Sequence, residues 1–306
     1  MKILVISSNL IGDTVLSTCV IEHFYKNYPN SRFTFVVGPT ASQIFENFPR
    51  LENIIKINKK KFNLHWLEIY LKNRHIQWDI IIDLRSSLLS FFFNTKKRYI
   101  FKKSKNLHQI EQLKKSFKIN AEFLNVYTNQ FEEKKASEKI KKDIKHIVIF
   151  PGGNWIPKIW PIENYNILLK TLCEKYLNIK FIIVGSNIEK KIYLEKIKNG
   201  ISDNKFIDIM GETLTLTSAY MKKSNLFIGN DSGLMHLSVA SKLPTIALFG
   251  PTDDKRYGHK NENCYVIRTK KTFDDFKKIK INKEISYMES IDTCDILNVI
   301  SKNDLL

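Results

Sequence analysis

Residues 226–254, LFIGNDSGLMHLSVASKLPTIALFGPTDD, contain two predicted strands and a helix between them. The apolar run 226–228 predicts a strand that ends in the small polar loop 229–233, where a helical pattern begins. A second apolar run, 245–249, predicts another strand, and it ends in a polar loop that contains Thr252. Strands that end in such loops are typical of an α/β sheet, which binds its ligand beyond the carboxyl ends of its strands.

The start of the helix after Asp231 is a candidate anion-binding site, because its free N–H groups and dipole favour negative charge. Gly233 lies in the first turn, where glycine costs helix stability, so it indicates close approach of a ligand. The alternative is that Asp231 or Ser232 only caps the helix. His236 is close enough in sequence to bond a phosphate or ribose oxygen, although a lone histidine is usually structural. Our hypothesis is a phosphate site for a nucleotide.

The rest of the chain shows the same alternation of strand and helix, which predicts an α/β fold with parallel sheets. Further strands are expected at 3–6, 33–37, 54–57, 79–84, 99–101, 146–150, 181–184 and 206–209. The charged segment 132–145 is either a solvated helix or a linker, and a final helix is expected at about 285–306. We therefore predict two doubly wound domains, 1–140 and 141–306.

Length and composition place the protein among globular chains. It has 306 residues, of which 43% are hydrophobic, and no apolar run approaches the ~20 residues of a membrane-spanning helix. The first residues show no signal peptide, so we expect a cytosolic protein. Four scattered cysteines and isolated histidines give no metal signature, and GxxxxGK[ST] and GxGxxG are both missing. We expect neither a metal nor a cofactor.

The formal net charge of +18 is compatible with nucleic acid, an anionic membrane or acidic substrates as partners. Of the 49 basic residues, seven are arginine and the other 42 are lysine. Codon bias toward A and T explains that composition as well as selection for a basic surface does. Because no zinc finger, RRM signature or convincing helix-turn-helix occurs, we do not expect a nucleic-acid partner.

Three polar residues follow other predicted strands. Gly12 and Asp13 follow the strand 3–6, where Asp13 is either a helix cap or a carboxylate placed as a general base. Lys158 is one of 42 lysines, so a functional role is not expected from its residue type alone. Its position after a Gly-Gly loop that follows the strand 146–150 favours such a role. Glu189 either caps the helix after 181–184 or accepts hydrogen bonds from a ribose.

Together these residues resemble glycosyltransferase family 9, the ADP-heptose:lipopolysaccharide heptosyltransferases. The resemblance lies in Gly12-Asp13 after the first strand, 158–161 (KIWP), 230–237 (NDSGLMHL) and 249–253 (FGPTD). It implies a GT-B fold, in which two Rossmann-like domains face a central cleft. The acceptor would bind the first domain and the nucleotide-sugar donor the second.

The family also implies roles for individual residues. Asp13 would be the catalytic base of an inverting, metal-independent transfer, and Lys158 would contact the donor diphosphate. Glu189 would bind the ribose. The remaining donor-site residues would be Asp231, Ser232, Gly233, His236 and Thr252.

The acceptor implied by the resemblance is an anionic lipopolysaccharide precursor that carries Kdo and phosphate, at the inner face of the inner membrane. That would give the positive charge a use. Gly12, Arg85 and Arg98 are the acceptor-binding candidates, and the basic segment 94–105 is a candidate for acceptor or membrane contact. The alternative for that segment is a merely solvated loop.

Three other functions remain open from the sequence. The motifs do not separate a heptose donor from another nucleotide sugar. A catalytically idle protein that binds nucleotides or polyanions would explain the charge, but it has no need of a base at Asp13. A Rossmann oxidoreductase is disfavoured by the missing GxGxxG.

Overall fold

The computed structural model of the protein describes residues 1–58, 60–104, 107–120, 123–260 and 262–306. The chain divides into two compact units, Met1–Tyr127 and Thr128–Leu306. This division falls before the predicted boundary at 140, and the helix formed by the first part of the charged segment belongs to the second unit.

Strands and helices alternate through the first unit. Its strands are β1 (Lys2–Ile6), β2 (Arg32–Val37), β3 (Leu51–Lys56), β4 (Trp78–Asp83) and β5 (Thr95–Ile100). Its α-helices are α1 (Ile11–Asn27), α2 (Leu64–Asn73), α3 (Leu89–Phe92) and α4 (Gln109–Phe117).

The described strands of the first unit form a parallel sheet of order β3-β2-β1-β4-β5. This is the Rossmann strand order 3-2-1-4-5-6 without its sixth strand. β1 is central and almost wholly buried, as its apolar sequence KILVI requires. Successive strands are added on one side of β1 up to β3 and on the other side from β4 onward. The loops after β1 and β4 therefore flank the position where such sheets bind ligands.

The second unit has the same alternation. Its strands are β6 (Lys145–Phe150), β7 (Ile179–Ile183), β8 (Phe206–Asp208), β9 (Leu226–Asn230), β10 (Thr245–Phe249) and β11 (Cys264–Arg268). Its α-helices are α5 (Gln130–Lys139), α6 (Ile162–Lys175), α7 (Asn187–Lys198), α8 (Leu214–Met221), α9 (Gly233–Ala240), α10 (Asp254–Tyr257), α11 (Phe273–Lys277) and α12 (Thr293–Lys302).

The described strands of the second unit form a parallel sheet of order β11-β10-β9-β6-β7-β8, the full Rossmann order. Its core contains the aromatic side chains of Trp160, Tyr165 and Phe181, packed against the aliphatic residues of β6, β9 and β10. The reversal of strand order falls between β6 and β9. The loops after these strands contain the glycine pair at 152–153 and the Asp231–Gly233 segment.

Several elements differ from the sequence-based expectation. Of the two alternatives for the charged segment, the helix is formed rather than the linker: α5 begins with a capping box between Asn129 and Glu132 and ends at Lys139, short of 145. Buried Glu132 accepts a hydrogen bond from Thr215 of α8, at 2.5 Å, which joins α5 to the second unit. The final helix is shorter than 285–306, because the capping box of Asp292 starts it only at Thr293.

Two strands were also misjudged. β5 begins at Thr95 rather than 99, because parallel pairing with β4 recruits polar residues at the sheet edge. The sequence of β11 shows no strong alternation of apolar and polar residues, and pairing with β10 orders it as a strand.

Lys105, the last residue of the predicted basic segment, lies outside the described residues. Within the described residues, no helix combines the length and apolar character needed to cross a membrane.

Candidate functional site

The loops after β6 and β9 in the second unit are joined by a buried amide. Asn230 accepts a hydrogen bond from the Trp160 backbone N–H at 3.0 Å, and its Nδ2 donates to the Gly152 carbonyl at 2.8 Å. Its side chain therefore ties the end of β9 to both ends of the segment that carries Lys158. Tyr165 donates to the Phe150 carbonyl at 2.9 Å and supports the same junction. The site residues are thus positioned by rigid strand ends.

Helix α9 begins directly at this junction. Ser232 is its N-cap, and the Ser232 hydroxyl accepts from the Met235 N–H at 3.3 Å. Asp231 is therefore not the cap, so the sequence-based alternative is resolved in favour of Ser232. Gly233 is the first helical residue, and the amides of this turn form a positively polarised surface beside the Asp231 carboxylate.

Lys158 and Asp231 form an ion pair at this helix start. Lys158 Nζ lies 3.9 Å from Asp231 Oδ2, and the two side chains are only 14% and 9% exposed. The distance is too long for a hydrogen bond, so the carboxylate attracts the ammonium without using its donors. Lys158 is thereby held at the α9 N-terminus, where a cation and helical amides together suit a phosphate group.

Asp231 is buried, and burial raises the pKa of its carboxyl. The charge of Lys158 and the hydroxyl of Thr252 oppose this shift without cancelling it. Although Thr252 lies near enough to act on Asp231, no hydrogen bond of ordinary geometry reaches its buried hydroxyl within the described residues. The loop after β10 thus brings to the ion pair a hydroxyl that retains hydrogen-bonding capacity.

His236 lies in α9 and contacts a second histidine. Its Nδ1 is 2.8 Å from His259 Nε2, and the two residues are 4% and 5% exposed. Two facing N–H groups cannot share so short a contact, so one nitrogen donates, the other accepts, and at least one ring is neutral. His259 therefore fixes the orientation of the His236 ring.

Glu189 lies in the first turn of α7, beyond the carboxyl end of β7. Its Oε2 accepts from the Ser186 N–H at 2.7 Å and from the Ser186 hydroxyl at 2.8 Å, which completes a capping box. A Cβ at Gly152 would lie 2.4 Å from Glu189 Oε1, so the backbone of the loop after β6 passes close to this carboxylate. The capping alternative for Glu189 is realised, while Oε1 faces the loop after β6.

Asp13 and Gly12 belong to the first unit, at the reversal of strand order in its sheet. The N-cap of α1 is Leu10, so Asp13 is in the first turn and is not the cap. Ser8 links the loop after β1 to this turn, because its hydroxyl donates to Asp13 Oδ2 at 3.4 Å and accepts from the Leu10 N–H at 3.1 Å. Asp13 is thus a carboxylate in the first turn of the helix that follows β1, a position compatible with the predicted role of general base.

Arg85 follows β4 and reaches toward Asp13. Its Nη1 donates to Asn9 Oδ1 at 3.1 Å, and its guanidinium lies 5.3 Å from the centre of the Trp66 ring. Partial burial lowers the pKa of Arg85, and the negative charges of Asp83 and Asp13 oppose that shift. The structure thus brings a cation and the candidate base to one place.

Arg98 is used differently. It lies within β5, where its guanidinium donates to the Ser90 carbonyl at 2.9 Å and the Phe93 carbonyl at 3.1 Å, at the two ends of α3. Its register partner in β4 is Ile81, which precedes the strand end. Arg98 therefore holds α3 in place, and the structure does not bring it together with Asp13 and Arg85.

Three further residues organise these sites and have no role in the sequence-based prediction: Asn230, His259 and Asp83. Buried Asp83 accepts from the Arg85 N–H at 2.9 Å and the Ser87 N–H at 2.7 Å, which shapes the loop that carries Arg85. A polar residue that ends an apolar strand was a usable signal for Asn230 and Asp83. His259 gave no such signal, because only the tertiary fold brings it to α9.

Within the described residues, no three His, Cys, Asp or Glu side chains form a group able to hold a metal ion.

Comparison with known proteins identifies relatives along the chain. Residues 71–286 match the model of glycosyltransferase family 9 (heptosyltransferase). Lipopolysaccharide heptosyltransferase 1 of Campylobacter coli is 25% identical over 350 residues, covering 100% of this chain and 97% of that protein.

Solved structures show the same fold. The glycosyl transferase family 9 structure from Veillonella parvula DSM 2008 has a TM-score of 0.80 at 21% identity, covering 98% of this chain and 96% of that one. E. coli heptosyltransferase WaaC with ADP has a TM-score of 0.75 at 15% identity, covering 99% and 100%. The predicted GT-B class, with its two Rossmann-like α/β domains, is confirmed.

Proposed function

The chain belongs to glycosyltransferase family 9 and is therefore a glycosyltransferase, and we propose that it transfers a heptose from ADP-heptose to the inner core of lipopolysaccharide. Its acceptor would be a lipid precursor bearing Kdo and phosphate, or one that already carries a heptose. The Campylobacter coli relative is a lipopolysaccharide heptosyltransferase, and the E. coli structure is a heptosyltransferase with ADP, which supports this choice of donor and acceptor. The observation that carries the proposal is the buried Lys158–Asp231 pair at the N-terminus of α9.

That pair suits the diphosphate of a nucleotide sugar. Its ammonium and the amides of α9 both favour negative charge, and the Thr252 hydroxyl is available beside them. Glu189 lies beyond the end of the second strand of this Rossmann sheet, where such folds bind ribose hydroxyls, so we assign it to the ribose. His236, held by His259, completes the donor site.

Asp13 is the catalytic base of this proposal. Its carboxylate takes the proton of an acceptor hydroxyl while that oxygen bonds to the anomeric carbon from the face opposite the leaving group, which inverts the configuration. The bond from the anomeric carbon to the diphosphate breaks, and ADP leaves with the bonding electron pair. A positioned base typically contributes about 10²–10⁴-fold in rate.

Charge on the departing ADP is stabilised by Lys158, His236 and the N-terminus of α9, which together take the part that a metal ion has in other phosphate chemistry. We therefore propose a metal-independent transfer. Arg85, beside Asp13, favours an anionic acceptor on the first unit. We also propose that the protein works in the cytoplasm, peripherally at the inner face of the inner membrane.

Calorimetric titration with ADP, UDP and GDP, each with magnesium and with EDTA, tests the donor assignment. The expected result is preferential binding of ADP that persists in EDTA, followed by heptose transfer from ADP-heptose to Kdo-lipid A. Preference for UDP or GDP would retain the mechanism but assign another sugar donor. If none of the three binds, the donor-site assignment is wrong.

A further inference from the structure

An exposed apolar surface lies on the first unit. Within the described residues, 7 of the 19 exposed large apolar side chains fall between positions 62 and 92. We name this set the apolar patch: Phe62, Leu64, Leu67, Leu71, Leu88, Phe91 and Phe92. Phe62 is 92% exposed and Leu88 is 78% exposed. Large exposed apolar clusters on soluble proteins mark interaction sites.

The members of the patch lie on packed elements. Leu64, Leu67 and Leu71 recur at i, i+3 and i+7 and therefore share one face of α2. The opposite face of α2 buries Ile69 in the core. The ring of Phe92, at the end of α3, lies 5.9 Å from that of Tyr70 on α2, so the two helices that carry most of the patch contact each other.

The backbone conformation just before α2 places the Phe62 side chain in solvent. Phe62 and Asn63 both adopt left-handed conformations, with φ of 52° and 57°. A bulky residue rarely takes this conformation, and it persists where the surrounding structure demands it or where function benefits. Here it leaves a phenylalanine ring in solvent, which core packing does not explain.

The charge around α2 is positive. Segment 60–74 contains four basic residues and one acidic residue, Glu68. Glu68 is itself paired with Lys60 at 2.6 Å and Lys72 at 2.9 Å. Lysine is depleted from the centres of protein–protein interfaces, whereas apolar faces with basic residues at their ends are typical of helices that lie in a membrane interface.

The helix that carries much of the patch also contacts the candidate acceptor site. Trp66 of α2, which is not a member of the patch, has its ring centre 5.3 Å from the guanidinium of Arg85, and Arg85 interacts electrostatically with Asp13. Leu88 follows the same loop as Arg85. A surface that contacts lipid here would bring the base close to a membrane-embedded acceptor.

We propose that the apolar patch inserts into an anionic lipid surface, with the exposed basic residues around α2, Lys60, Lys61, Lys72 and Arg74, contacting lipid phosphates. The proposal rests on the proposed function, because a lipid-linked acceptor is the reason for the protein to reach a membrane. The binding itself requires no turnover, so the two can fail separately.

Sedimentation with vesicles tests the proposal. Wild type should bind vesicles of phosphatidylcholine with about 30% phosphatidylglycerol, should bind pure phosphatidylcholine at least about tenfold more weakly, and should lose affinity as salt rises. The combined substitution F62S/L67S/F92S should reduce binding to the anionic vesicles at least about tenfold. A matched control, F131S/L177S/I188S, changes three other exposed apolar residues, which lie in the second unit, and should bind like wild type.

Activity separates the two proposals. The patch variant should retain ADP affinity and transfer to a deacylated, water-soluble acceptor, and should lose transfer to the same acceptor embedded in anionic vesicles. Undiminished vesicle binding by the patch variant would overturn the membrane proposal, as would a wild-type dimer that only this variant dissociates. Vesicle binding without transfer to either acceptor would overturn the proposed function alone.

Discussion

Replacing Lys158 by methionine should weaken ADP binding strongly and leave the fold intact. Methionine keeps the length and apolar stem of the side chain and removes only the ammonium. In the structure that ammonium is 3.9 Å from Asp231 Oδ2 and 14% exposed as part of its side chain, so solvent screens it poorly. Its donors are therefore available to a phosphate oxygen at low desolvation cost.

The magnitude follows from the type of interaction lost. A hydrogen bond to a charged group contributes about 1.5–3 kcal/mol, and each 1.4 kcal/mol is about tenfold in affinity, so Kd should rise about 10–150-fold. The same substitution leaves the buried Asp231 carboxylate without its cation, which lowers stability. The double variant K158M/D231N removes both charges. It should recover the thermal stability and still bind ADP weakly.

Calorimetry with ADP gives the affinity, and thermal unfolding gives the stability of the same preparations. Lys191→Met, on the exposed surface of α7, is the matched control and should bind like wild type. If K158M binds ADP within about twofold of wild type, Lys158 does not contact the diphosphate and the donor-site assignment is wrong. If the double variant regains affinity, the effect of K158M came from the unpaired carboxylate.

Three other changes probe the remaining groups. Asp13→Asn should lower kcat by about 10²–10⁴-fold with ADP affinity unchanged, and near-normal turnover would show that Asp13 is not the base. His259→Leu should weaken ADP binding by about 2–10-fold, the effect of one net hydrogen bond, and His259→Gln should restore most of it; equal losses would mean that His259 only fills space. Because burial raises the pKa of Asp231, its charge opposes folding above its folded-state pKa, so Asp231→Asn should raise Tm at neutral pH and lose that advantage below the ordinary value of 3.8. An advantage that persists in acid would point to packing instead.

The fold was largely predictable because its strands are buried on both faces. Segments such as 3–6 and 245–249 are continuous apolar runs bounded by turn residues, and a parallel sheet is the arrangement that buries them. β5 and β11 could not be predicted in this way. Their polar or mixed sequences form strands only because an edge of the sheet is available for pairing, and the local sequence does not show that such an edge exists.

The extent of α5 and α12 was misjudged for a related reason. The charged segment around α5 has few large apolar residues, so its periodicity predicts little. What orders it is a capping box and one buried carboxylate, Glu132, that bonds Thr215. Both are tertiary or terminal effects, which composition does not reveal.

The candidate site residues also divide into those that the sequence could indicate and those that it could not. Asp13 and Asp231 follow apolar strands, and each was weighed as a helix cap. The structure places the N-cap positions at Leu10 and Ser232, so neither carboxylate caps its helix. Arg98 was selected for charge alone, and its guanidinium is occupied by two backbone carbonyls. The informative signal was that a residue follows the end of a predicted strand, because the carboxyl ends of parallel strands meet at the edge of the sheet where ligands bind.

The net charge of +18 could not be interpreted from the sequence, because codon bias and selection for an anionic partner both enrich lysine. Codon bias also enriches phenylalanine, but it has no means of deciding which phenylalanines a fold leaves in solvent. Phe62 and Phe92 are 92% and 65% exposed on elements that also carry basic residues. Since lysine and arginine near an anionic lipid surface contribute about 1 kcal/mol each, charge and apolar exposure strengthen membrane binding only when they occupy the same surface. That coincidence, rather than the total charge, favours a functional role for the basic residues around α2 and α3.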